Sequence, residues 1–156
     1  MNTAIEVQLS LDDELVPDGS RITAWVDCAL KSVQKRAVSI TVRVVTQDEM
    51  QNLNVRFRNQ NSATNVLSFP SDNFGSQRTG ASGDIVVCSV VVQTEAQEQN
   101  KAADAHWAHM VIHGVLHLLG YDHGNDDEAQ PMETLETEIL LGWNYSAPYT
   151  DTTEHN

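Results

Sequence analysis

The chain has 156 residues, enough for one domain with one sizeable core. Hydrophobic residues are 40% and charged residues 20%, which excludes a disordered chain. Nine Lys and Arg against 22 Asp and Glu give a formal charge of −13, which excludes sequence-independent duplex DNA binding as the main task. The charge is uneven. All nine basic residues precede residue 102, and the last 55 residues hold ten carboxylates. A local basic face on the first half is compatible with a polyanionic partner, whereas a merely solvated acidic surface needs none. Apolar runs fall far short of the ~20 residues of a membrane span. The first residues, Met1 to Val7, carry neither a basic segment nor a long apolar one, so no signal peptide is expected. Cys28 and Cys88 form no Cys-x-x-Cys pair and read as reduced core residues of a cytoplasmic protein.

The elements follow from periodicity. Residues 3–10 alternate, with Ile5, Val7 and Leu9 apolar, and predict a strand. Asp18-Gly19-Ser20 caps a helix over about 20–35 whose apolar stripe is Ile22, Trp25, Val26, Ala29, Leu30 and Val33. Val38–Val45 is β-branched and alternating, a strand. Thr46-Gln47-Asp48-Glu49 fits a capping box and opens a short helix over about 47–56. Residues 64–69 read as a strand closed by Pro70, residues 71–82 as a polar loop, and Gly83–Cys88 as another strand. Helices follow over about 90–99, 103–119 and 127–141. The second stops at Gly120, and Pro131 is placed in the first turn of the third. The prediction is a single α+β domain over 1–145, a small mixed β-sheet packed with helices, followed by a polar tail over 146–156.

The chemistry concentrates in His113-Gly-Val-Leu-His117-Leu-Leu-Gly-Tyr-Asp-His123. His113 and His117 are four apart, so their rings emerge one turn apart on one helix face. Gly120 permits the positive-φ turn that brings a third ligand back, and His123 arrives three residues later. Three imidazoles around one divalent ion with an open position fit a catalytic zinc centre at the end of a long helix. The same spacing occurs in the zincin peptidase motif H-E-x-x-H-x-x-G-x-x-H, whose Glu is the general base. Here that position is Gly114, which cannot take a proton.

His113-Gly114-x-Leu116-His117-Leu118-x-Gly120-Tyr121-Asp122-His123 resembles the signature of the YbeY family of bacterial metal-dependent endoribonucleases. The resemblance extends to Thr64-Asn65-Val66-Leu67-Ser68-Phe69-Pro70, to Gly83-Asp84-Ile85, to His106-Trp107-Ala108-His109 and to Met132-Glu133-x-Leu135-Glu136, and covers roughly residues 45–142. It implies a zinc-type ion on His113, His117 and His123, cleavage of single-stranded RNA, maturation of ribosomal RNA at the 16S 3′ end, and a part in ribosome quality control. It implies the ribosome or small-subunit assembly factors as partners, and neither membrane nor DNA. It also matches Arg58, six residues before Thr64, to the family's functional arginine. An arginine at that place can hold a phosphate oxygen with two donors. The loop Asn59-Gln60-Asn61-Ser62-Ala63 departs from the glycine, lysine and proline common in relatives, so a weaker hold on phosphate is expected.

Other residues allow two readings each. His109 shares the stripe but lies about 6 Å along the helix from His113, too far for the same ion without distortion, and reads as cleft-lining. Asp122 is either a partner of a ligand N–H or a turn residue. Met132 packs under the site or in the plain core. Asn65 and Ser68 contact RNA or cap a strand edge. Water and the RNA 2′-OH are both open as nucleophile, and three imidazoles suit zinc, nickel or copper. Two rival readings stand beside the nuclease. One is a zinc metallopeptidase-like hydrolase with a base such as Asp122. The other is a non-catalytic ribosome assembly factor stabilised by its metal.

Overall fold

The structure, a computed structural model, describes residues 5–9, 16–58, 64–71, 80–120 and 126–143. The elements run β1 (Ile5–Leu9), α1 (Gly19–Ser32), β2 (Arg36–Val45), α2 (Gln47–Arg58), β3 (Val66–Pro70), β4 (Gly80–Cys88), α3 (Ser89–Glu98), α4 (Ala103–Leu118) and α5 (Asp126–Gly142). Local chemistry sets the helix starts. The Asp18 carboxylate accepts from the Arg21 amide at 2.9 Å, closing the first turn of α1. At α2, Thr46 and Glu49 form a reciprocal capping box, with bonds of 3.0 and 3.2 Å.

The sheet is mixed, in the order β1-β2-β4-β3. β1 and β4 both run parallel to β2, and β3 is antiparallel to β4. The predicted α+β class and element order hold. Several boundaries differ: α1 already ends at Ser32 and β2 begins at Arg36. β4 begins at Gly80, so residues 80–82, read as loop, are strand paired with β2. α2 runs on to Arg58. α5 begins at Asp126, which puts Pro131 in its second turn, where its missing N–H leaves the helical bond to the carbonyl four residues back unmade. The tail over 146–156 lies outside the described residues.

β4 is apolar on both faces because both are covered. Ile85 and Val87 join the main core with Ile40, Val42 and Val44 of β2, Trp25 and Leu30 of α1, Trp107, Ile112 and Leu116 of α4, and Met132 of α5. Val86 and Cys88 face the other way, against Met50 of α2 and Leu67 of β3. Cys28 and Cys88 are free thiols, and burial pushes the Cys88 thiol up from its ordinary value. No helix among the described residues is long and apolar enough to cross a membrane.

α4 lies unusually close to the sheet. A Cβ on Gly114 would come within 2.7 Å of Ile85 Cγ2 and 3.1 Å of Val66 Cγ2. The Ser68 hydroxyl donates to the Gly114 carbonyl at 2.8 Å, tying β3 to the helix at the same point. Gly114→Ala should therefore destabilise the protein by about 1–3 kcal/mol through overpacking, despite the better helix propensity of Ala. Urea unfolding checks this, and an unchanged midpoint would mean that the helix can lift without cost.

Candidate metal centre and active-site cleft

α4 carries His106, His109, His113 and His117 at helical spacing on one stripe. The ring centroids are 6.1, 6.3 and 4.9 Å apart along the series. His113 and His117 line a cleft of about 340 Å³ together with Thr64, Asn65, Val66, Leu67 and Ser68. The two helical histidines singled out by spacing thus come together beside β3. Gly120 ends the helix as expected, with φ at 102° and its amide donating to the His117 carbonyl at 3.0 Å. His123 and Asp122 lie outside the described residues. Arg58 is the last residue of α2, and its side chain also lies outside them.

The residue that pattern reading left without a role is Glu136. It is fully buried, and its two carboxylate oxygens serve two histidines. His109 Nε2 donates to Oε1 at 3.0 Å, and His113 Nδ1 donates to Oε2 at 2.6 Å. This assigns the tautomers from the network: His113 carries its proton on Nδ1, so Nε2 is the nitrogen that can ligate. A signal for Glu136 was present in the sequence. It shares the buried face of α5 with Met132, Ile139 and Leu140, and a carboxylate among apolar residues demands a buried partner.

His109, His113 and Glu136 also form a metal-capable group, with ligand atoms all within 4.8 Å of one another. This set and the three-histidine set expected from spacing have His113 in common. His109 is therefore placed differently from its sequence reading: it stands on the carboxylate under the cleft and does not line the cleft. Met132 belongs to the main core. Asn65 and Ser68 spend their side chains internally. Asn65 Nδ2 donates to both oxygens of Glu95 at 3.1 and 3.2 Å, and its Oδ1 accepts from the Val66 amide at 2.7 Å. His106 Nε2 meets the same Glu95 at 2.9 Å. Burial pulls the His106 imidazole below its ordinary value against the opposing pull of Glu95, so it is a neutral structural histidine.

The family model described as Endoribonuclease YbeY matches residues 10–144. The chain belongs to the YbeY family. Hydrolytic cleavage inside RNA is thus the chemistry of its family. The fold is also similar to the solution structure of TM1509 from Thermotoga maritima. The two share 26% sequence identity at a TM-score of 0.59, over 90% of this chain and 91% of that one.

Glu136 links the site to pH. Burial pushes its carboxyl up, but the hydrogen bonds from His109 and His113 outweigh this and hold it down at about 2. A depressed folded value means that the unfolded chain takes up the proton first as pH falls. The stability contributed is whole above the ordinary carboxylate value of 4.5 and is lost between there and about 2. Glu136→Gln should lower stability near neutrality and flatten the acid loss across that window. Urea midpoints of both proteins through the window check this. Parallel curves would remove Glu136 from the acid response.

Proposed function

We propose that this chain is a cytoplasmic, metal-dependent, single-strand-specific endoribonuclease that matures ribosomal RNA at the 16S 3′ end and serves ribosome quality control. The observation that carries the metal reading is the pairing of His113 and His117 in one cleft, with the Glu136 carboxylate on His113 Nδ1. That donor chemistry fits a borderline divalent ion, zinc above all: imidazole nitrogens, one of them held in its tautomer by a carboxylate behind it. His113, His117 and His123 would hold the ion. When bound, it supplies Lewis acidity toward a phosphate oxygen and lowers the pKa of water.

The chain's own groups do the rest. Glu136 keeps the His113 ring oriented. Arg58 would supply two N–H donors to the non-bridging oxygens, where charge grows during attack on the phosphodiester. Gly114 is pressed on Ile85 and Val66, so position 114 looks at the sheet and offers no base to the cleft. This favours phosphodiester chemistry over peptide hydrolysis. With a formal charge of −13, the chain meets RNA best where positive surface comes from elsewhere, which fits ribosomal or small-subunit assembly partners.

Single-turnover cleavage of a single-stranded RNA tests the reading. Replacing His113, His117 or His123 by Ala should remove bound metal and activity together. Arg58→Ala should cost on the order of 100-fold in rate while metal content and melting temperature hold. Arg58→Lys should restore only part, since a point charge cannot make the planar two-donor contact. Full metal in His123→Ala would overturn the ligand set. Equal rates in the three proteins with Arg, Lys and Ala at position 58 would remove that residue from the reaction.

A further inference from the structure

β3 is an edge strand: among the described residues it pairs only with β4. Its backbone polarity can be read from the register. The Cys88 amide donates to the Asn65 carbonyl at 2.9 Å, and the Ser71 amide donates to the Ser82 carbonyl at 3.1 Å. In an antiparallel pair, hydrogen-bonded residues alternate, so Asn65, Leu67, Phe69 and Ser71 turn their N–H and C=O toward β4. Val66, Ser68 and Pro70 turn theirs outward. The Val66 amide is already taken by Asn65 Oδ1. Proline has no amide to give. Among the described residues, the outer edge of β3 therefore presents one donor, the Ser68 N–H, flanked by the carbonyls of Ser68 and Val66.

This edge looks into the cleft. Five consecutive residues, Thr64 to Ser68, line it, although side chains of a strand alternate between faces. The Leu67 side chain is buried on the far side of the sheet, so its part of the lining is backbone. His113 and His117 stand on the other side of the same cleft.

We infer that the Ser68 N–H and C=O bind the Watson–Crick edge of one unpaired RNA base beside the histidines. This deepens the nuclease reading and rests on it. The N–H and C=O of an outward residue sit side by side, aimed at one partner. Every nucleobase carries a matching acceptor and donor side by side on that edge: O4 and N3–H of uracil, O6 and N1–H of guanine, N1 and N6–H of adenine, N3 and N4–H of cytosine. In a duplex these groups are already engaged, so the contact selects unpaired RNA without selecting sequence. A peptide strand is the poorer occupant. It needs a repeating ladder, and here the outward position before Ser68 has its amide capped by a side chain and the one after it is proline.

The test separates the amide from the hydroxyl. Ser68→Ala removes only the bond from Oγ to the Gly114 carbonyl. Ser68→Pro removes that bond and the outward N–H, at a position where proline breaks no ladder bond. The readouts are affinity for a fluorescent single-stranded oligouridine in the presence of chelator, single-turnover cleavage with metal, and melting temperature. Ser68→Pro should bind and cleave about fivefold or more worse than Ser68→Ala at the same melting temperature. An oligomer of N3-methyluridine, whose donor is blocked, should lose affinity for wild type and show no further loss with Ser68→Pro. Equal behaviour of the Pro and Ala variants would overturn the inference. If the Pro variant does not fold, equal affinity of wild type for the two oligomers would overturn it instead. Displacement of neither RNA but capture of an extended peptide, abolished by Ser68→Pro, would assign the edge to a protein strand. A wild type that cleaves no RNA fails the nuclease reading; one that cleaves both oligomers alike fails only this inference.

Discussion

The contact between α4 and the sheet at Gly114 sets the geometry of everything around it. The missing side chain lets the helix backbone settle against Ile85 and Val66, and Ser68 fastens the neighbouring strand to the same carbonyl. A larger residue would lift the helix and open the gap between His113 and β3. The cleft has its width because Gly114 lets the helix come this close to the sheet. The same residue has a chemical consequence. In zincin peptidases the position after the first histidine supplies the base. Here it faces the core, so packing and the loss of that base are one fact.

Beneath the cleft, two buried or half-buried carboxylates hold the histidine stripe in place. Glu95 joins His106 of α4 to Asn65 at the start of β3. Glu136 joins His109 and His113 of α4 to α5. Each carboxylate is matched by more than one donor, which is the condition for burying a polar group without destabilising the fold. The stripe is graded along its length. His106 serves the fold, His109 serves Glu136, His113 serves both Glu136 and the cleft, and His117 lines the cleft.

The order and type of the elements were legible because apolar periodicity and capping residues act locally. Thr46 and Glu49 form the expected box, and Gly120 makes the expected stop. The start of β4 was not legible. Gly80-Ala81-Ser82 has the composition of a loop and becomes strand only because β2 offers it a parallel partner. That His113 and His117 share one face of α4 was legible from spacing alone. Glu136 was not given a role, since its partners are 27 and 23 residues away in sequence and come together only when α5 packs on α4. The sequence left Asn65 and Ser68 open between a contact to RNA and a cap on the strand edge, and their side chains are used to fix β3. What they leave to the cleft is backbone, which no side-chain pattern can show.

That backbone suits the electrostatics of the chain. A protein of −13 repels a polyanion at long range, and its last 55 residues have ten carboxylates and no Lys or Arg. Screening confines this repulsion to about 8 Å at physiological ionic strength, so it weighs most on groups that approach closely. A site that relied on many phosphate contacts would need a basic groove, and the last 55 residues have no Lys or Arg with which to build one. Recognition through the uncharged edges of bases avoids the conflict. Neutral donors and acceptors lose little in an acidic surround, and a peptide N–H and C=O cost no side-chain entropy to order. Positive charge is then needed at one point only, where the phosphodiester is broken. On the proposed reading, a metal ion and Arg58 would supply it there.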